Sequence, residues 1–166
     1  RSAPSSAPTP PDLTLTTYNT RDETTRQILA ESNSNSQIEP ASMTKVMTGY
    51  IVADQIEQDM ISNDDNVLIS TKAWKMEGSR MFIEVGKRVS VEDLLRGLVI
   101  QSGNDAAVAL AEYVAGSEQI FVDVMNEYAS VLGLRNTLFQ NSTGLPDADH
   151  FTSVRDLAVL SKALID

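Results

Sequence analysis

Cysteine is absent from this sequence, and histidine occurs once, at position 150. Without cysteine the chain has no disulfide framework, no thiolate metal site and no cysteine nucleophile. One histidine cannot form a multi-histidine metal centre, and a Ser-His-Asp triad would have to use His150. We therefore expect no metal and no cofactor, and catalytic chemistry in this chain has to use other groups.

Long apolar runs and an excess of positive charge are also missing. No run reaches the length of a membrane span, and no hydrophobic signal core stands near the start, so we expect an export signal to have been removed or never present. The formal net charge of −10 argues against nucleic acid or an anionic membrane surface as a partner. An apolar content of 42% is ordinary for a globular domain with a real core.

The most informative stretch of the sequence is 40–53. Its apolar residues recur at helical spacing and predict a helix with an apolar face: Met43, Val46, Met47, Tyr50 and Ile51. Lys45 is the one charged residue from position 43 to position 53, so this helix is predicted to be buried nearly all round. Pro40 suits the first turn, and Ser42 then lies at the helix N-terminus, where free N–H groups favour an anion.

Ser42 and Lys45 are three residues apart and share a face of this helix. A buried lysine is costly unless it is paired or its pKa is lowered. A lysine with a lowered pKa can accept the proton of a nearby hydroxyl and so generate a nucleophile. The alternative is a serine N-cap followed by a lysine whose ammonium reaches solvent, and the pair alone leaves both interpretations open.

A second short pattern, Ser102-Gly103-Asn104, interrupts two predicted helices. Its structural interpretation is a tight turn in which Asn104 caps the following helix. Its functional interpretation is that Ser102 joins a proton relay with Lys45 while the Asn104 amide holds an amide of the substrate.

The remaining chain is predicted as a disordered leader over 1–17 followed by a domain over 18–166. Helix starts are predicted at Ser90, where Asp93 completes a capping box, and at Ser117 and Ser153. His150 is predicted as a loop residue that hydrogen-bonds to backbone. The predicted strands are 12–18, 27–31 and 67–70, with a further hairpin of 80–85 and 87–91.

The order of the two patterns resembles the penicillin-binding proteins, whose motifs include S-x-x-K followed by S-x-N. The resemblance is closer to the low-molecular-mass D-alanyl-D-alanine carboxypeptidases. The segment 38–45 reads IEPASMTK and the segment 101–106 reads QSGNDA. Further family-like segments are 96–98, 132–137 and 150–157, so the resemblance extends over about 27–166.

This resemblance implies an α+β fold of the β-lactamase and DD-peptidase type, with a helical subdomain and the N-terminal strands of an incomplete antiparallel sheet. It implies that Ser42 attacks the penultimate D-alanine of a peptidoglycan stem peptide, with Lys45 as general base and Ser102 as proton relay. Gly103 and Asn104 would bind the substrate. Penicillin and other β-lactam antibiotics would acylate Ser42, in the bacterial periplasm or on the outer face of the cytoplasmic membrane.

Two features depart from the family pattern. The third motif, K-[ST]-G, does not occur in the sequence. Ser142-Thr143-Gly144 lacks the preceding lysine and lies in a predicted loop, so we do not interpret that segment as the third motif. We expect 18–166 to be a truncated catalytic domain, whose activity alone is in question and whose fold a C-terminal fragment would complete. The polar residues Asn19, Thr20 and Arg21 stand where the family is apolar.

Two other functions share these motifs. A penicillin sensor or inactive homologue would be acylated without turnover. A class A β-lactamase needs a loop glutamate to activate water, and 136–152 contains no glutamate, which disfavours that function.

Overall fold

The computed structural model describes residues 14–22, 24–25 and 27–165. In this part of the chain six α-helices and two small antiparallel sheets confirm the predicted α+β class. The elements in chain order are β1 (Tyr18–Arg21), β2 (Ile28–Ser32), a 3₁₀ turn (Ala41–Met43), α1 (Thr44–Glu57), β3 (Asn66–Leu68), α2 (Thr71–Trp74), β4 (Arg88–Ser90), α3 (Val91–Gln101), α4 (Asn104–Ala115), α5 (Glu118–Val131) and α6 (Val154–Ile165).

Helix α4 forms the centre of the molecule, because every residue from Asn104 to Ala111 is buried. Its many alanines allow α1, α2, α3 and α5 to pack closely around it. Helix α1 contributes Met47 and Ile51 to one side of the core and Val52 to the other. Helix α1, which carries Lys45 and directly follows the turn of Ser42, is therefore fixed by packing along its length. None of the described helices is long and apolar enough to cross a lipid bilayer.

Serine caps begin the helices much as predicted. The hydroxyl of Ser90 accepts the amide of Asp93, and the hydroxyl of Ser117 accepts the amide of Ile120. The predicted Asn104 cap is wrong, because Gly103 occupies the N-cap position and Asn104 is the first residue of α4. The asparagine side chain is used elsewhere, as described below.

The first predicted strand is wrong in its bounds. Residues 14–17 lie outside any strand, and β1 begins at Tyr18 and pairs antiparallel with β2. Residues 12 and 13, with the rest of the predicted leader up to residue 13, lie outside the described residues. The predicted bounds 12–18 rested on alternating leucine and threonine residues. The bounds of β1 instead follow the residues that pair with β2.

The polar residues of β1 bond to one another and to β2. Asn19 donates its side-chain amide to Glu31 across the sheet at 3.1 Å, and Arg21 donates to Asn19 at 2.8 Å. Cross-strand side-chain pairs of this kind stabilise a sheet. They explain how a strand with this polar sequence forms where apolar residues were expected.

The predicted hairpin of 80–85 with 87–91 is also wrong. Strand β4 pairs antiparallel with β3 instead, with Val89 opposite Val67. Residues 80–85 form no strand, and the backbone amides of Met81 and Ile83 instead donate to a buried carboxylate at the start of α4.

The long segment 136–152 is tied to the chain that leads into Ser42. Ile38 and Thr152 exchange both backbone hydrogen bonds, at 2.8 and 2.9 Å, and Leu138 and Phe151 form a second bridge. This pairing brings the middle of the long segment against the first turn of α1.

Candidate active site

Ser42 lies in the 3₁₀ turn immediately before α1, and its side chain is exposed. Pro40 occupies the N-cap position of the turn. Ala41 has a φ of +45°, in the left-handed region that residues with a Cβ seldom adopt. A strained residue beside an exposed hydroxyl is typical of a functional site, where surrounding contacts hold the unfavourable conformation.

Lys45 lies in the first turn of α1 with only 6% of its surface exposed. Its Nζ is 3.5 Å from the Oγ of Ser42 and donates to the carbonyl of Thr143 at 2.7 Å. Burial lowers the pKa of Lys45, because a low-dielectric environment disfavours the charged form. The structure thus brings together the two residues that the sequence paired and gives the lysine the property that a base requires.

This arrangement supports proton transfer from serine to lysine. A neutral amine that donates one N–H to the Thr143 carbonyl keeps its lone pair for the hydroxyl of Ser42. The separation of 3.5 Å between Nζ and Oγ is long for a hydrogen bond, and contacts of this kind often tighten when substrate binds.

The segment Ser142-Thr143-Gly144 lies in a loop, as predicted, and it packs against the Ser42 turn although it is not the third motif. Gly144 has a φ of +85°, and a Cβ built on it would lie 1.7 Å from the carbonyl oxygen of Ala41. Only glycine allows this approach. Thr48, one turn after Lys45, donates to the Ser142 carbonyl at 2.8 Å. A polar threonine on a buried helix face was the sequence signal for this contact.

His150 is a buried loop residue whose backbone amide donates to the carbonyl of Asp147, but its imidazole bonds to a side chain and not to backbone. Its Nε2 lies 3.0 Å from the Oγ1 of Thr44, and its ring packs edge-on against Phe139 at 5.9 Å. Burial lowers the pKa of His150, while the nearby Asp147 carboxylate acts in the opposite direction. The long segment therefore holds the first residue of α1 with a neutral imidazole.

Ser102 ends α3 in the left-handed region, at a φ of +53°. Its side chain is half-buried, and among the described residues its hydroxyl has no hydrogen-bond partner. The structure therefore leaves the predicted link from Ser102 to Lys45 as a prediction. A Cβ on Gly103 would lie 3.0 Å from a carboxylate oxygen of Asp105, so the middle residue of the motif is tightly surrounded.

Asn104 is 5% exposed and holds a neighbouring segment. Its Nδ2 donates to the carbonyl of Glu77 at 2.6 Å, and its backbone amide donates to the carbonyl of Ser79 at 2.7 Å. Gly78 between them has a φ of +80°, and a Cβ there would lie 2.9 Å from Nδ2. One N–H of Nδ2 is engaged by Glu77, and the amide oxygen of Asn104 can accept an N–H from a substrate.

Asp105 is a structural anchor that the sequence analysis missed. Its carboxylate is buried and accepts the backbone amides of Met81 and Ile83 at 3.0 and 3.3 Å, and that of Ala106 at 2.9 Å. A carboxylate in the first turn of a helix is favoured by the helix dipole. Asp105 thus fixes the segment 81–83 beside the Ser102 motif. Within the described residues no group of three or more metal-ligating side chains is arranged to hold a metal ion.

Comparison with protein families matches residues 5–166 to D-alanyl-D-alanine carboxypeptidase. The chain is 45% identical over 165 residues to D-alanyl-D-alanine carboxypeptidase DacD of Escherichia coli K12, which covers 96% of this chain and 42% of the relative. It is 47% identical over 145 residues to D-alanyl-D-alanine carboxypeptidase DacC of the same organism, covering 84% of this chain and 36% of the relative.

Similar solved structures agree with this match. The crystal structure of penicillin binding protein 6B from Escherichia coli has a TM-score of 0.94 and 43% identity, over 99% of this chain and 54% of that one. The chain spans less than half the length of the two curated relatives above. Since the family match extends over nearly all of its residues, the chain belongs to the peptidase S11 family of D-alanyl-D-alanine carboxypeptidases.

Proposed function

We propose that this protein is a serine carboxypeptidase that removes the terminal D-alanine from peptidoglycan stem peptides. One observation carries the proposal: a buried lysine with a lowered pKa, Lys45, lies 3.5 Å from the exposed hydroxyl of Ser42. Membership of the D-alanyl-D-alanine carboxypeptidase family supports this substrate. Peptidoglycan lies outside the cytoplasmic membrane, so we propose that the protein acts in the periplasm or on the outer face of that membrane.

The proposed reaction begins with transfer of the Ser42 proton to the Lys45 amine. Oγ then bonds to the carbonyl carbon of the penultimate D-alanine, and the backbone N–H of Ser42 supplies one donor to the resulting oxyanion. The C–N bond to the terminal D-alanine breaks while Ser102 passes a proton from Lys45 to the departing amine. Water then hydrolyses the ester, which releases the shortened peptide and restores Ser42.

Asn104 and Gly103 are proposed to bind the substrate backbone. The amide oxygen of Asn104 would accept an N–H of the peptide, since its nitrogen already donates to Glu77. The family's K-[ST]-G strand would bind the terminal carboxylate. That sequence does not occur among the 166 residues, so a complete cleft requires a segment that supplies it.

The test is release of free D-alanine from a synthetic peptide ending in D-Ala-D-Ala by the full-length gene product. We expect release from this peptide, none from the same peptide ending in L-alanine, and none by the Ser42→Ala variant. Labelling by a β-lactam provides a second test, because its ring mimics D-alanyl-D-alanine and acylates the same serine.

Acylation by penicillin without any release of D-alanine would contradict the peptidase and identify a sensor. Rapid hydrolysis of penicillin with no action on the peptide would identify a β-lactamase.

A further inference from the structure

Glu118 is the first residue of α5 and is buried. It stands 73 residues after Lys45 in the sequence. One oxygen of its carboxylate accepts both the backbone amide and the hydroxyl of Ser142, at 3.0 and 2.7 Å. The other oxygen accepts the ammonium of Lys72 at 2.7 Å. The carboxylate therefore holds Ser142 at two points.

The residue next to Ser142 is in contact with the proposed general base. The carbonyl of Thr143 accepts the Nζ of Lys45 at 2.7 Å, and the carbonyl of Ser142 accepts the hydroxyl of Thr48 at 2.8 Å. The two-residue segment Ser142-Thr143 is therefore fixed on one side by Glu118 and on the other by two side chains of α1.

Glu118 is ionised at neutral pH. Burial alone would raise the pKa of its carboxyl, but the hydrogen bonds from Lys72 and Ser142 and the charge of Lys72 together hold that pKa below its usual value. Hydrogen bonds to an ionised acceptor are roughly twice as strong as those between neutral groups. The carboxylate is thus a firm anchor for the Ser142 backbone.

We propose that Glu118 is a positioning residue for the general base: by fixing Ser142, it places the Thr143 carbonyl where that oxygen orients the Lys45 amine towards Ser42. This inference rests on the proposed role of Lys45 as the base for acylation. It assigns to Glu118 no contact with substrate.

Loss of the carboxylate has two expected consequences for Lys45. The Thr143 carbonyl becomes free to move, so the amine is less often aimed at Ser42 and acylation slows. A hydrogen bond from the ammonium to a carbonyl favours the charged form, so its loss lowers the pKa of Lys45 further. The acylation rate falls at low pH as the amine takes up a proton, and we call this fall the acid limb of the pH profile. This limb then moves to lower pH, because the amine stays neutral there.

The experiment measures the rate of acylation by a fluorescent penicillin against pH, with the full-length gene product and its variants. We expect Glu118→Ala to slow acylation by about tenfold and to move the acid limb down by about half a pH unit. Glu118→Gln should lie between Glu118→Ala and wild type, because the amide oxygen can still accept both donors of Ser142 but without the negative charge that strengthens those bonds. The matched control is Glu127→Ala, an exposed glutamate of the same helix, which should change neither quantity.

The pH profile separates positioning from loss of fold. Fewer folded molecules lower the amount of labelled protein but leave the acid limb where it is. A Glu118→Ala variant with the wild-type rate, or with a slower rate and an unmoved acid limb, would overturn the inference.

A milder variant covers the case in which Glu118→Ala does not fold. Ser142→Ala removes one of the two bonds and should slow acylation about threefold with a shift of the acid limb in the same direction; an unmoved limb would overturn the inference. A wild-type protein that penicillin does not label would contradict the proposed function itself, and this inference with it.

Discussion

The Ser42 turn and the Ser102 turn are each held by a segment that is distant in sequence, but they are held differently. In the first, Lys45 itself donates to the Thr143 carbonyl. In the second, Asp105 and Asn104 bond the segment 77–83, while the hydroxyl of Ser102 has no partner among the described residues. The proposed base is thus held in place, whereas the proposed relay hydroxyl is not held by another described residue.

Both turns also contain a residue in the left-handed region, Ala41 at φ +45° and Ser102 at φ +53°. Each such residue costs on the order of 1–3 kcal/mol and persists only where its surroundings over-determine it. The segments that bond to the two turns therefore maintain the geometry of the site as well as its position. Substitutions that loosen these segments one at a time test this difference, and the segment that contacts the turn of Ser42 should show the largest effect.

Gly144→Ala is expected to have the largest effect. The added Cβ would lie 1.7 Å from the Ala41 oxygen, at a φ of +85° that alanine seldom adopts. The long segment must move away, at a cost of about 2–5 kcal/mol, and the Lys45 contact moves with it. Acylation by penicillin should slow by about a hundredfold, because a misplacement of about 1 Å of a group that orients the catalytic amine costs on the order of that factor.

The control for this variant is Gly133→Ala. Gly133 has a similar φ of +74°, but no atom lies within 4 Å of the position of its Cβ. It should lose stability through the backbone alone and keep its acylation rate. Equal rates for the two variants would show that the approach of Gly144 to Ala41 does not matter for catalysis.

Asp105→Ala should have the next largest effect, on the other turn. It leaves the backbone amides of Met81 and Ile83 without their acceptor, which costs about 2–3 kcal/mol of unfolding free energy. Chemical denaturation measures this loss, and Asp123→Ala, an exposed aspartate of α5, should lose little. The pH dependence of acylation reports the protonation of Lys45. If the two turns are held independently, Asp105→Ala should leave this pH dependence unchanged from wild type. A moved acid limb would show that the two turns are coupled.

A pH-dependent loss of stability at His150 should be the smallest effect. Its pKa is lowered in the folded state, so the unfolded chain binds the proton more readily. Stability is full above the unfolded value of about 6.5 and falls as the pH drops below it. His150→Gln keeps a hydrogen-bonding group for Thr44 and takes up no proton, so its Tm should fall by fewer degrees than that of wild type between pH 7.5 and pH 5. Parallel curves would mean that His150 does not contribute.

The helices and the pairing of Ser42 with Lys45 were predictable because both depend on spacing within one helix. The bonds from Asp105 to 81–83 and from Glu118 to Ser142 join residues more than twenty positions apart, and no local pattern marks such a partner. The predicted hairpin of 80–85 with 87–91 failed for the same reason: β4 pairs with β3, which lies about twenty residues earlier in the chain, whereas the sequence favoured a nearby turn at Gly86. The predicted strands 27–31 and 67–70 are confirmed in type as β2 and β3.

Activation of Ser42 by Lys45 is tested by an intact mass spectrum of the protein before and after incubation with benzylpenicillin. The full-length gene product should gain the mass of one penicillin, mapped to Ser42 by proteolysis. Ser42→Ala should gain nothing, and Lys45→Ala almost nothing. An undiminished gain in either variant, or an adduct on another residue, would contradict the account.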